Sequence, residues 1–188
     1  SLGLQYKPGV FAPKEELKDI ALLVKKWNRI LTVHAKAYST LSGTYPLKPF
    51  GQPHNLIAIQ EMLDLARETG VKLQFSHLIF VGHKTWPTMR KALDMFDQAI
   101  ADGVDVKFDI FPYPCGATLL NTLLPEWVMA DMPAVLHKKL PMLRLRLEAT
   151  LSLKAVGLGY ENIQITAACC AEYDRFNGQL ISDIARQV

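Results

Sequence analysis

The 188-residue sequence predicts an α/β fold built on parallel strands. Short apolar, β-leaning runs at residues 30–35, 71–76 and 104–111 alternate with amphipathic helical stripes, and a glycine stops the second and third stripes ahead of the strand after each. Strands joined through helices in this way form βαβ units with right-handed crossovers. Composition agrees: 49% hydrophobic residues suffice for a core, and 21% charged with 9% aromatic residues excludes bulk disorder.

The first helix opens at Pro13-Lys14-Glu15-Glu16, where proline and acids suit a helix start. Its stripe runs through Leu17, Ile20, Ala21, Val24 and Trp27, and Lys25, Lys26 and Arg29 complement its negative end. The strand at 30–35 then feeds a polar loop over 38–53. Leu56, Ile59, Leu63 and Ala66 form the second stripe, stopped by Gly70 before the strand at 71–76. Pro87-Thr88 opens a third helix with Met89, Leu93, Phe96 and Ile100 on one side, ended by Gly103 ahead of the strand at 104–111. Beyond Pro112 the alternation breaks. Leu136, Leu140, Leu143, Leu147 and Leu151 predict a long helix bent at Pro141, followed by a short strand at 162–166 and a helix from Leu180. The chain therefore divides into βα units over 1–115 and a mainly helical segment over 116–188.

Several function classes drop out at this level. No apolar run approaches the ~20 residues that cross a bilayer, so no membrane partner is expected. A net charge of +3, with basic residues spread along the chain, argues against a nucleic-acid partner. Cys115, Cys169 and Cys170 are too few for a disulfide framework and point to a reducing, cytoplasmic home. No histidine or lysine lies near Cys169 or Cys170 in sequence to activate a thiol. The sequence has no G-x-G-x-x-G, no G-x-x-x-x-G-K-[ST] and no G-x-S-x-G, which disfavours nucleotide enzymes and serine hydrolases. The opening Ser1-Leu2, without methionine, reads as an excised piece of a longer protein.

Function in α/β sheets gathers at the carboxyl ends of parallel strands. Those ends read Val33-His34-Ala35-Lys36, Phe75-Ser76-His77-Leu78 and Asp109-Ile110-Phe111-Pro112-Tyr113. Imidazole is a common zinc ligand and a common acid/base, so histidines at two consecutive strand ends make a candidate site. Each alone also fits a histidine satisfied near a core, and a catalytic zinc normally takes three protein ligands. His34 follows Thr32 at period two and shares its face. Lys36 offers a cation to a carboxylate, or a solvated surface charge. His83, in Gly82-His83-Lys84, lies past the second strand end, within reach of a substrate. Tyr6 and Tyr113 suit ligand hydrogen bonds or aromatic packing equally. Asp109, in a strand that reads as buried, needs a partner, and orienting a histidine from behind is one use. His54 reads as a helix start and His137 as surface.

Four motifs in order, Gly3-Leu4-Gln5-Tyr6 with Pro8-Gly9-Val10, Val33-His34-Ala35-Lys36, Ser76-His77-Leu78 and Phe111-Pro112-Tyr113, resemble the D-aminoacylase family, N-acyl-D-amino-acid deacylases of the amidohydrolase superfamily. The resemblance runs through essentially the whole chain, including Pro125-Glu126-Trp127. It implies a partial β/α (TIM-like) barrel: about three barrel strands with flanking helices over 1–115, plus a helical insertion over 116–188. It further implies zinc as cofactor, His34 and His77 as metal ligands, a small N-acyl amino acid as substrate, and Tyr6 and Tyr113 beside that substrate. Lys36 stands where the family carries arginine, keeping the charge without the bidentate fork. Ile79 stands where the family carries lysine, leaving His83 or Lys84 as the nearest cation for a substrate carboxylate.

The family's first-strand His-x-His, its bridging cysteine and its general-base aspartate have no counterpart in the chain. No catalytic residue is therefore assigned within it, and the chain is expected to be inactive alone. The parent reaction implied is zinc-assisted amide hydrolysis. An incomplete barrel also leaves strand edges unpaired, so self-association is expected. Two other readings stand beside this one: an amidohydrolase acting on cyclic amides, dihydroorotase-like or hydantoinase-like, and a non-catalytic binding module whose histidines are structural remnants.

Overall fold

Four strands, β1 (Leu2–Gly3), β2 (Ile30–His34), β3 (Lys72–Phe75) and β4 (Val106–Phe108), form one parallel sheet in the spatial order β1-β2-β3-β4. The structure, a computed structural model, describes residues 1–187 except 47, 49, 50 and 133, and the side chains of all of these but residues 126 and 136. A parallel neighbour cannot be reached through a hairpin. The last three strands are accordingly reached through helices α1 (Lys14–Lys26), α2 (His54–Thr69) and α3 (Met89–Ala101), which pack side by side in chain order. The register runs from Ile30 opposite Lys72 to Val33 opposite Phe75, and from Leu73 opposite Val106 to Phe75 opposite Phe108. All four carboxyl ends thus lie along one edge of the layer.

Side chains alternate across a strand, and this decides which face is core. Leu31, Val33, Leu73, Phe75 and Val106 are buried and join the helices in the main core. Each such side chain contributes about 1.5–3 kcal/mol through its burial. Phe75 meets Phe96 of α3 edge-on at 5.4 Å. Thr32, Gln74 and Lys107 point to the opposite face, half-buried or exposed.

The expected helices form, with corrections to their faces. In α2 the stripe Leu56, Ile59, Leu63 and Ala66 is wholly buried, and Gly70 ends the helix at φ 65°, a left-handed conformation that favours glycine. In α1, Trp27 is not part of the buried stripe: it caps the helix and lies exposed, while Leu17, Ile20 and Val24 pack inward. In α3 the buried line is Ala92, Phe96 and Ala99 rather than Met89 and Ile100, which are exposed. The small alanines let that helix approach closely. The predicted strand at 104–111 shortens to β4, the outermost strand, beyond which no further strand pairs among the described residues, and Ile110 is exposed. The first strand, only two residues long, carries no readable period.

The second half holds α4 (Glu126–Ala130), α5 (Lys139–Val156) and α6 (Ile181–Gln187). Pro141 does not bend a long helix. It is the third residue of α5, in the first turn, where its missing N–H has no intrahelical partner to lose. The leucine stripe is not the buried face either. Leu140 is 80% exposed, with Leu143, Leu147 and Leu151 also open, and Leu136 lies outside the described side chains. Leu145, Met142 and Ala149 pack on Val128 and Val135 instead, as a small core distinct from the main one. The strand predicted at 162–166 is absent: a single antiparallel bridge, Gln164 to Leu180, forms after a short 3-10 turn at Tyr160–Asn162. Among the described residues no helix is long and apolar enough to cross a membrane.

Candidate metal centre

The edge where the strands end gathers the imidazoles. Because Leu31 and Val33 face the core, His34 at the end of β2 projects from the opposite face, with Thr32. One strand over, the chain turns immediately after Phe75. His77 takes φ +37°, a left-handed conformation uncommon outside glycine, which swings its ring toward β2. The two rings meet at 4.6 Å between centroids, nearly perpendicular, with His34 Nδ1 and His77 Nε2 2.9 Å apart.

Three residues hold this pair. Gln5, just beyond β1, places Oε1 3.0 Å from His34 Nε2. Tyr38 slots its ring beside both imidazoles, at 5.0 Å from His34 and 5.1 Å from His77. Its hydroxyl accepts the Ala35 N–H at 2.8 Å and donates to the Ser76 carbonyl at 3.2 Å, tying together the residues that flank the two histidines. Asp109 accepts the His77 backbone N–H at 2.7 Å through one oxygen and the Gln74 side-chain amide at 2.7 Å through the other. The orienting role expected of Asp109 thus runs through the main chain of His77, not through its ring.

Proton bookkeeping follows from the partners. The Gln5 carbonyl oxygen only accepts, so His34 Nε2 carries the proton and His34 Nδ1 must accept, from His77 Nε2–H. His77 Nδ1 is buried and has no partner among the described residues. Burial, and secondarily the neighbouring His77, holds the His34 pKa down at about 4, so the His34 imidazole is neutral at physiological pH.

Neutral imidazoles are what zinc requires. Zinc–nitrogen bonds of ~2.0–2.1 Å in a tetrahedral site set two ligand nitrogens ~3.3 Å apart. The facing nitrogens here are only a few tenths of an ångström closer, at a hydrogen-bonded 2.9 Å. The donor set fits two places of a metal site, with Gln5 supplying the outer partner that a ligating histidine usually has. Among the described residues no group of three or more His, Cys, Asp or Glu converges.

The other residues singled out from sequence scatter. Tyr6 is beside the pair: its ring lies 4.7 Å from His34, and its hydroxyl is 3.1 Å from Thr118 Oγ1. Lys36 sits over the Tyr45 ring at 5.3 Å. Tyr113 is 70% exposed, while Phe111 of the same motif comes within 6.2 Å of His77. His83 turns away to the Gly157 carbonyl, at 2.7 Å, and Lys84 Nζ donates to the Lys154 carbonyl at 3.1 Å. Both line a separate hollow at the end of α5. His54 starts α2, as expected, with Nδ1 accepting the Ser42 N–H. Gln5 and Tyr38 carried no role in the sequence reading. Gln5 stood in a recognised motif, but nothing in the spacing of Tyr38 distinguishes it from a core aromatic.

Fold and site together define an α/β chain whose parallel sheet presents an imidazole pair at its carboxyl edge. Its relatives are deacylases. The chain is 30% identical over 126 residues to an N-acyl-D-glutamate deacylase from Alcaligenes xylosoxydans xylosoxydans, and 28% identical over 121 residues to a D-aminoacylase from the same organism. These matches take in 67% and 64% of the chain, which spans only 22% of either relative's length. Among solved structures, the crystal structure of the Bordetella bronchiseptica N-acyl-D-glutamate deacylase, complexed with zinc and a phosphonate inhibitor, is similar over 98% of the chain and 29% of its own, with TM-score 0.66 and 23% identity. A D-aminoacylase structure, described as defining a novel subset of amidohydrolases, matches over the same shares with TM-score 0.63 and 17% identity. No protein-family model matches the chain. The resemblance to the D-aminoacylase family that the strand-end motifs carry is thereby borne out.

Proposed function

We propose that this chain is the part of a zinc-dependent amidohydrolase that supplies two metal-ligating imidazoles, His34 and His77, and one wall of the substrate site, in an enzyme hydrolysing the amide of N-acyl-D-amino acids. The observation that carries the reading is the convergence of the two rings from adjacent strand ends, nitrogen facing nitrogen at 2.9 Å. His34 and His77 would hold the zinc, which when bound would supply Lewis-acid polarisation of the amide carbonyl and a more acidic water. The chain's own residues hold and orient. His34 stays neutral at working pH, Gln5 fixes the His34 tautomer, and Tyr6 closes one side of the pair. Lys36 and Tyr113 are proposed as outer substrate contacts, of which Lys36 follows His34 most closely along the chain; His83, bonded to the Gly157 carbonyl in a separate hollow, is not.

Two imidazoles without a third ligand or a carboxylate base give binding without turnover, so the chain alone is proposed to be inactive. An architecture of barrel units over 1–115 and an insertion over 116–188 draws support from the two separate apolar clusters. The test is zinc uptake by the purified chain, beside His34→Ala and His77→Ala, together with a deacylase assay on N-acetyl-D-glutamate. Zinc bound by the parent chain and lost in both variants, with no hydrolysis, is the expected result. Equal uptake by all three would place the metal elsewhere, and zinc-dependent hydrolysis by the chain alone would overturn the assignment of its inactivity.

A further inference from the structure

We infer that Asp109 is the positioning residue of the imidazole pair, holding His77 in its left-handed conformation so that Nε2 meets His34. The inference rests on reading the two histidines as a metal pair, and it concerns how the chain builds that pair before any metal arrives.

Four hydrogen bonds join Asp109 to the segment 74–78. Its backbone N–H donates to the Phe75 carbonyl at 3.2 Å, and its carbonyl accepts the Leu78 N–H at 2.7 Å. Its carboxylate accepts the His77 N–H at 2.7 Å and the Gln74 amide at 2.7 Å. The two backbone bonds continue the sheet, and any residue at 109 can make them. The carboxylate bonds need an acceptor side chain, and they act on the one residue of this segment that leaves ordinary backbone space, His77 at φ +37°. An ionised acceptor on a backbone N–H makes one of the stronger hydrogen bonds. A conformation of this kind persists only where its surroundings over-determine it. Gln74 pins the second carboxylate oxygen and keeps the first aimed at His77. With both oxygens occupied by donors, the carboxylate is engaged in holding the turn.

The experiment reads the metal-free chain first. Long-range 15N–1H spectra of the imidazoles in the 15N-labelled protein report the tautomers and the shared proton of the pair. Wild type is expected to show His34 and His77 each protonated at Nε2. Asp109→Ala is expected to lose that signature, with helix content unchanged by circular dichroism. Asp109→Asn, which keeps an oxygen for the His77 N–H, is expected to retain it. Zinc titration as a second readout should show an affinity loss of about 10–100-fold for Asp109→Ala, the usual cost of losing an outer partner of a metal ligand, and a much smaller loss for Asp109→Asn. An intact tautomer pattern in Asp109→Ala, an unpaired pattern in the wild type, or equal loss in both variants would overturn the inference. A wild type that shows the pair but takes up no zinc would instead defeat the metal reading, with the tautomer spectra still deciding the role of Asp109.

Discussion

Tyr38→Phe removes one oxygen and leaves the shape of the site untouched. That oxygen accepts the N–H of Ala35, a fully buried residue, and donates to the Ser76 carbonyl. Without it the Ala35 donor, in a fully buried residue, loses its partner. A stranded buried donor costs about 1–3 kcal/mol, and the longer bond to Ser76 adds up to about 1 kcal/mol. The expected destabilisation is therefore about 1–4 kcal/mol. Set against a typical total of about 5–15 kcal/mol, that is large. It corresponds to a fall in melting temperature of roughly 2–16 °C for a chain of this size.

Urea denaturation followed by circular dichroism measures this directly, with the denaturant slope unchanged if the unfolded state is unaffected. The ring itself stays beside both imidazoles in the variant, so zinc uptake should survive at temperatures where the protein is folded. A loss below about 0.5 kcal/mol would refute the argument, because a hydroxyl bridging two buried strand ends cannot be that cheap to remove.

Two further outcomes are expected. Acid should destabilise the metal-free chain from about pH 6.5 downward: His34 and His54 are both held below the usual histidine range by burial, so the unfolded state binds more protons and stability falls as pH drops, for His34 until about pH 4. Melting temperatures recorded across that window check it; His34→Gln should shallow the slope, and a flat wild-type profile would contradict the assignment. We also propose that the chain self-associates through the outer edges of β1 and β4, and light scattering that finds only monomer across the accessible concentration range would refute this.

What was legible in the sequence follows from which forces act locally. The stripe of α2 could be read because that helix is buried along its length, so apolar spacing and burial coincide. The leucines of α5 misled for the opposite reason. Leu140, Leu143, Leu147 and Leu151 have perfectly good helical spacing, yet the helix turns Leu145 toward its neighbours, and spacing alone does not say which of two apolar faces finds a partner. Pro141 was misplaced by position in the helix, a matter of two residues that separates a bend from a first turn. At the site, the histidines were visible as residue types at strand ends. Asp109 was legible as an orienting partner, though not that it acts through the His77 main chain; Gln5 and Tyr38 were not, since they reach His34 and His77 across 29 and 39 residues of chain.

The open face of the sheet bears on what completes this site. Parallel sheets are ordinarily covered on both faces, because both carry apolar side chains. Here one face carries Leu31, Val33, Leu73 and Phe75 under the helices, whereas the other carries Thr32, Gln74 and Lys107, with His34 and His77 at its edge. A second helical layer would have to desolvate a threonine, a glutamine and a lysine without offering them partners, which is unfavourable. Curling the sheet so that this face lines an interior, with further strands joining at the edges of β1 and β4, gives those side chains polar neighbours across a barrel and turns the imidazole edge into the rim of its mouth. The polarity of the uncovered face and the placing of the histidines thus both favour the proposed barrel reading, in which any further metal ligands would come from strands other than these four.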